Sequence, residues 1–195
     1  MCTKAAWRVA ILATMLGACA PATAGPNAEA MAATCAACHG PAGSSLGPAI
    51  PTIASLSTDY FVMSMKDYRD GKRPATVMDR IARGYSDEDI AGMAKYFQKQ
   101  KFARRPQKTD PERVKSGRAL AKKYCESCHQ DEGRASEGVG MLAGQWLQYM
   151  EFSMQDFRSG KRQTERAQKD KFEEVVRDKG EGALIDILHY YASVQ

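Results

Sequence analysis

Two copies of one short pattern dominate the chain. Cys35 and Cys38 are followed at once by His39, and Cys125 and Cys128 are followed at once by His129. These use four of six cysteines and two of three histidines in 195 residues, the third histidine being His189. Two thiols three positions apart on a helical turn can each add to one vinyl group of a haem. The next residue then presents its imidazole to the iron. The spacing is tight because vinyl groups and iron sit at fixed separations on one rigid ring. Two disulfides would not require the following histidines. A four-cysteine zinc site would have to bring the pairs together across 86 intervening residues, beyond usual finger spacings. Six cysteines are also too few for a disulfide-built mini-domain. The pattern predicts two covalently bound haem c groups, anchored by Cys35, Cys38, Cys125 and Cys128, with His39 and His129 as proximal ligands.

The pattern is part of a longer repeat. Residues Tyr60 to Arg73 match Tyr149 to Arg162 at a constant offset of 89, with eight of fourteen positions identical. Ile53 and Ala54 match Leu142 and Ala143 at the same offset, and the Cys-x-x-Cys-His patterns are offset by 90. Two copies are too few for a solenoid, so the repeat predicts two homologous domains. Arg104, Arg105, Pro106, Lys108, Thr109 and Pro111 form a polar, proline-punctuated linker. We place the first domain at 25–105 and the second at 106–195.

Local signals are helical throughout. Asn27 and Thr58 read as N-caps, Ser86 and Asp89 as a capping-box pair, and Asp110-Pro111 as a cap followed by a first-turn proline. Gly71, Gly160 and Gly180 read as helix stops. Alternating β-branched runs are absent, so the expected fold is all-α.

The first residues have a different character. Lys4 and Arg8 precede an uncharged apolar run, Val9 to Ala20, too short to span a bilayer of roughly 30 Å. With Ala22-Thr23-Ala24 before Gly25, residues 1–24 read as a secretory signal peptide. Leu16-Gly17-Ala18-Cys19 offers a competing lipobox, in which a lipidated Cys19 would tether the protein to a membrane. Export to the periplasm agrees with haem c attachment, which occurs outside the cytoplasm. Of 28 basic residues, Lys4 and Arg8 lie in this segment, leaving 26 against 23 acidic, a net of +3. That balance describes a solvated surface and excludes a nucleic-acid partner.

A sixth iron ligand is expected on the face of each ring opposite the histidine. A methionine thioether stabilises reduced iron and suits electron transfer. Met78, after the Gly71 to Pro74 turn and before a short helical stretch, is the candidate in the first domain. Met63 and Met65 compete, although helical spacing suits Met65 and its repeat partner Met154 for core packing. In the second domain the offset lands on Ala167, beside Gln168, and no methionine follows Met154. Gln168, Lys169, Met141 or another upstream methionine, His189, or an open position all remain. Gly47-Pro48 is expected to supply the carbonyl that orients His39, with Glu137-Gly138 in its place in the second domain.

Taken together, Cys35 to Gly40, Ser45 to Pro48, Met78 to Ser86, Lys123 to His129, Leu142 to Trp146 and the ending Tyr191-Ala192-Ser193 resemble two-domain dihaem cytochromes c. Within these the chain looks like the cytochrome subunit of flavocytochrome c sulfide dehydrogenase, over about 25–195. It implies two tandem class I cytochrome c domains related by a pseudo-twofold. It also implies an FAD-containing flavoprotein subunit as electron donor and a soluble cytochrome c as acceptor. The family's methionine ligands correspond to Met78 and to Gln168, so the second position departs from the family. A freestanding dihaem carrier and a small-molecule redox catalyst at an open second haem are the alternatives.

Overall fold

The structure is a computed structural model and describes residues 27–135 and 137–195. The signal reading, Cys2 and the Cys19 lipobox lie outside the described residues. Among those residues there are ten α-helices and no strand, as the sequence pattern requires. The first half runs α1 (Ala28–Thr34), α2 (Ala36–His39), a 3-10 turn (Pro41–Gly43), α3 (Thr58–Arg69), α4 (Met78–Ala82) and α5 (Asp87–Gln98). The second runs α6 (Pro111–Tyr124), the short turn α7 (Gln130–Gly133), α8 (Leu147–Arg158), α9 (Arg166–Lys179) and α10 (Gly182–Ser193).

Capping decides where most of these helices begin. Asn27 Oδ1 accepts from Glu29 N, and Asp110 Oδ1 accepts from Glu112 N and Arg113 N ahead of Pro111. Ser86 and Asp89 bond reciprocally, Ser86 N to Asp89 Oδ2 at 3.0 Å and Asp89 N to Ser86 Oγ at 3.1 Å. One expectation shifts by a residue. Ser57, rather than Thr58, caps α3 by accepting from Tyr60 N, because Thr58 is already helical.

Each half closes by crossing its first helix with its last, and a glycine sits at each crossing. A Cβ at Gly92 in α5 would lie 3.0 Å from the Cβ of Ala28 in α1. At Gly117 in α6 it would lie 2.0 Å from the carbonyl oxygen of Asp186 in α10, so α6 and α10 touch at backbone distance. The repeat also recurs in hydrogen bonds. Gly43 O accepts from Ile53 N and Ala54 N, and Gly133 O accepts from Leu142 N and Ala143 N. Ser55 N donates to Phe97 O, and Gly144 N to Tyr191 O, both at 2.8 Å. The matched dipeptides in the sequence are therefore matched clasps between the haem-motif turn and the last helix.

Two cores result. The first is built on Phe61, Met65, Ile90, Met93 and Phe97, and takes in Met141 from the second half. The second is built on Tyr124, Met150, Val175, Leu184, Ile187, Leu188 and Tyr191, with Met154 packed against it. Met65 and Met154 are thus packing residues, as their spacing predicts. The connecting segment changes sides midway. Phe102 is buried in the first core, whereas Arg104 Nε donates to Ala143 O and Gln107 Nε2 to Gln145 O and Ala192 O.

Where the halves meet, the repeat makes reciprocal contacts. Arg73 Nη2 donates to Tyr149 OH at 2.7 Å, and Arg162 Nη2 donates to Tyr60 OH at 3.4 Å. Arg73 and Arg162 are repeat partners, as are Tyr60 and Tyr149, so each half offers its arginine to the other's tyrosine. Arg73 is only 6% exposed; its other partners are Ser64 Oγ at 3.0 Å and the Tyr68 ring beneath its guanidinium. Gln145 adds a contact without a mirror image, accepting from Thr52 N and donating to Thr52 O.

Two predictions follow from these contacts. Gly117→Ala should lower stability by about 2–3 kcal/mol, because the clash is with backbone. Gly182→Ala, with open space at its Cβ, should leave the thermal midpoint unchanged. The second concerns Tyr60. Burial opposes its ionisation, but the Arg73 and Arg162 guanidiniums outweigh burial and bring its pKa down to about 8 from 10. Its ionised form favours the fold, so that contribution is absent below pH 8 and grows between about pH 8 and 10. Burial pushes Tyr68 up to about 12, which opposes the fold only above pH 10. An ultraviolet tyrosinate titration should show one phenol ionising near pH 8 that disappears in Tyr60→Phe, together with the stability gain.

Candidate functional site

Both Cys-x-x-Cys-His stretches are single helical turns at the end of a longer helix. His39 N donates to Cys35 O at 2.8 Å and Cys38 N to the same oxygen at 3.2 Å. His129 N and Cys128 N donate to Cys125 O at 2.9 and 3.2 Å. In each pair the first thiol is half-buried, the second is exposed, and all four are free. Burial raises the Cys35 thiol and pushes Cys125 up to about 11. No group of three or more metal-competent side chains occurs among the described residues, and the two pairs sit in separate cores.

His39 is buried, and its Nδ1 lies 2.7 Å from Pro51 O. A carbonyl can only accept, so Nδ1 carries the proton and the Nε2 lone pair is left for a metal. Burial lowers the pKa of His39 against the pull of the Pro51 carbonyl, which keeps the ring neutral. The expected orienting carbonyl was that of Pro48. Instead Pro48 O accepts from Tyr149 N of the second half at 3.2 Å, and Trp146 lies over Gly47. The loop is drawn toward the second half there, and the chain returns to His39 three residues later.

The repeat partner of Pro51 is Gly140, not Glu137 or Gly138. Burial lowers the pKa of His129, and the Gly140 carbonyl opposes this. Yet His129 Nδ1 is buried without a formed hydrogen bond. The second imidazole is therefore held less firmly than the first.

Met78 opens α4, is half-buried, and packs against the first core beside Ile81 and Val77. Met63 is 42% exposed, and so is its repeat partner Phe152 at 49%. Leu46 and Ile50 on the loop after His39, and Val77 and Ile81 beside Met78, are exposed large aliphatics. They offer apolar surface to the hydrocarbon edge of a porphyrin. With paired thiols on the same turn as a neutral imidazole, the first site fits a covalently held haem.

In the second half Gln168 lies near the start of α9, half-buried, and its Oε1 accepts from the Thr164 hydroxyl. Lys169 is exposed and pairs with Glu173. Met141 is committed to the first core and contacts Arg104. His189 Nδ1 accepts from Asp110 N at 3.0 Å and so anchors the start of α6. Sequence reasoning did not single out Pro51, Thr164 or the Arg73 and Arg162 pairs. The identical Tyr and Arg at both ends of the fourteen-residue repeat were the available signal for the last.

Comparison with known proteins places this architecture. A family model described as cytochrome c oxidase, cbb3-type, subunit III matches residues 22–97. Cytochrome c4 of Pseudomonas aeruginosa is 35% identical over 144 residues, 69% of this chain and 71% of that protein. The cytochrome subunit of sulfide dehydrogenase of Chlorobaculum tepidum is 41% identical over 69 residues, 35% of this chain and 62% of that one. The crystal structure of reduced recombinant cytochrome c4 from Pseudomonas stutzeri superposes with a TM-score of 0.69 at 24% identity, covering 86% of this chain and 97% of that one.

The fold and its paired sites define an all-helical protein of two class I cytochrome c domains with two covalently bound haem c groups, an electron carrier. Within that class the chain belongs to the cytochrome c4 family. The resemblance to two-domain dihaem cytochromes c read from the sequence holds; within it cytochrome c4 matches over the longer stretch and the sulfide dehydrogenase subunit over a shorter one.

Replacing Cys125 and Cys128 together by serine should reduce the haem count from two to one per chain. The pyridine haemochrome assay with protein mass spectrometry reads this directly.

Proposed function

We propose that the chain is a periplasmic two-haem relay between a sulfide-oxidising FAD flavoprotein and a soluble cytochrome c. Residues 25–105 and 106–195 each carry one haem. The observation that carries this reading is the pair of Cys-x-x-Cys-His turns in two cores fixed against each other by reciprocal Arg–Tyr contacts. Two sites in one rigid molecule give an accepting haem and a delivering haem. The likeness to the sulfide dehydrogenase subunit of Chlorobaculum tepidum supports the donor class.

When bound, the haem iron supplies a one-electron couple. The chain's own groups set its conditions. His39 offers Nε2 while Pro51 holds the proton on Nδ1, whereas the Nδ1 of His129 has no formed hydrogen bond. Met78 presents a thioether that stabilises the reduced state and closes the first site to substrate. Residues 1–24 direct export. No described helix is long and apolar enough to cross a membrane, so a tether would come from Cys19.

A second reading, a freestanding carrier, is favoured by the greater length over which cytochrome c4 matches. Purification of the native protein separates the two. A stable complex with an FAD-containing chain, in which sulfide reduces the haems, supports the relay. A lone monodisperse cytochrome supports the freestanding carrier. In either case Met78→Ala should lower the midpoint potential of one haem by roughly 0.2 V, a fraction of the range that axial ligands span, as read by redox titration.

A further inference from the structure

We infer that Gln145, a residue of the second half, positions His39, the proximal ligand of the first, by gripping the peptide that joins Pro51 to Thr52. That one peptide unit is bonded on both edges. Its carbonyl, Pro51 O, lies 2.7 Å from His39 Nδ1, and its amide, Thr52 N, donates to Gln145 Oε1 at 3.0 Å. Gln145 Nε2 also donates to Thr52 O at 2.9 Å. A peptide is planar, so fixing its N–H fixes the direction of its C=O. Hydrogen bonds in a row polarise one another, so the bonded N–H makes the carbonyl a stronger acceptor for the His39 Nδ1 proton. An imidazole bonded in this way is a more basic ligand for iron.

Gln145 is itself held in place. Its Oε1 also accepts from Trp146 N at 3.1 Å, and its backbone carbonyl accepts from Gln107 Nε2 at 2.9 Å. Gln145 and Thr52 are each only 3% exposed, so water does not compete for the bonds between them. The same short segment grips the other end of the loop, where Tyr149 N donates to Pro48 O. The repeat supplies the comparison. At the offset of 89, Pro51 and Thr52 correspond to Gly140 and Met141, and Gln145 corresponds to Leu56. Leu56 is buried in the first core and has no side-chain amide to offer. In that half His129 Nδ1 is buried without a hydrogen bond. The histidine with a bonded Nδ1 is thus the one whose carbonyl partner is gripped by a glutamine. The second half therefore tunes the first haem through this one peptide.

This role rests on His39 as the fifth ligand of the first haem, and the two can fail separately. The test uses the ferrous dihaem protein with isotope-labelled histidine, nuclear magnetic resonance and redox titration. The His39 Nδ1 proton should exchange slowly with solvent. Gln145→Met, close to glutamine in shape but without its amide, should speed that exchange roughly fivefold to tenfold, the worth of one hydrogen bond. It should also raise the midpoint potential of the first haem and leave the second unchanged, because a less basic imidazole favours the reduced iron less weakly than before. Burial keeps an introduced carboxyl protonated, so Gln145→Glu retains both acceptor and donor and should leave the exchange slow. Tyr149→Phe removes the seam bond to Arg73 but not the grip on Thr52. It should lower the thermal midpoint and leave the His39 signal as it was. Slow exchange and an unmoved potential in Gln145→Met overturn the inference, as does fast exchange in Gln145→Glu. Equally fast exchange in Tyr149→Phe overturns it too, since a general loosening of the seam would then be the cause. His39 ring protons that lack the ring-current shift of a haem, already in the unsubstituted protein, would instead remove the fifth ligand itself, and with it this role of Gln145.

Discussion

A buried guanidinium at the seam governs this molecule. Arg73 gives up its hydration among phenols and one serine, with no carboxylate paired to it among the described residues. Removing a charge from water costs several kcal/mol, and neutral partners return only part of that. The seam is therefore specific rather than strong. A buried guanidinium held by phenols and a hydroxyl tolerates few arrangements, so the halves meet in one way, and with them the turns bearing His39 and His129. Electron transfer between two haems depends on this fixed relation.

Each half solves the same problem from the same parts. The haem-motif turn hangs from the end of its first helix and is clasped by a glycine carbonyl that accepts two consecutive amides. That glycine lies against the ring of Phe97 or Tyr191, at φ of +80° or +82°. A side chain at either place would collide with the ring, and the backbone conformation disfavours one as well. The crossings differ in detail, since the close approach falls on α5 in one half and on α6 in the other. The halves agree in how the cysteine-bearing turn is clasped and diverge in their helix crossings and in the support of the proximal histidine.

Much of this was legible in the sequence because it is written in local chemistry. Asn27, Asp110 and the Ser86/Asp89 pair cap their helices within three residues, so no distant contact was needed to read them. The haem anchors were legible because a rigid ring demands a fixed spacing. Pro51 was not, because which carbonyl reaches His39 depends on a loop pulled toward Tyr149 from across the molecule. The removal of Met141 from the ligand candidates was invisible for the same reason: it lies in the second half by sequence and in the first core by packing. Thr164 was hidden because a bond between two neighbouring polar side chains leaves no periodic trace.

The reciprocal Arg–Tyr contacts have a consequence for how such a chain arises. A surface whose arginine meets the tyrosine of an identical copy, and the reverse, is self-complementary, so a single module bearing it carries the makings of a homodimer. Joining two copies in one chain raises their effective concentration, and a contact too feeble to hold separate molecules then suffices. Fusion also releases each copy from the obligation to match the other. Gln145 against Thr52 and Met141 in the neighbouring core are changes a symmetric dimer would have had to make twice.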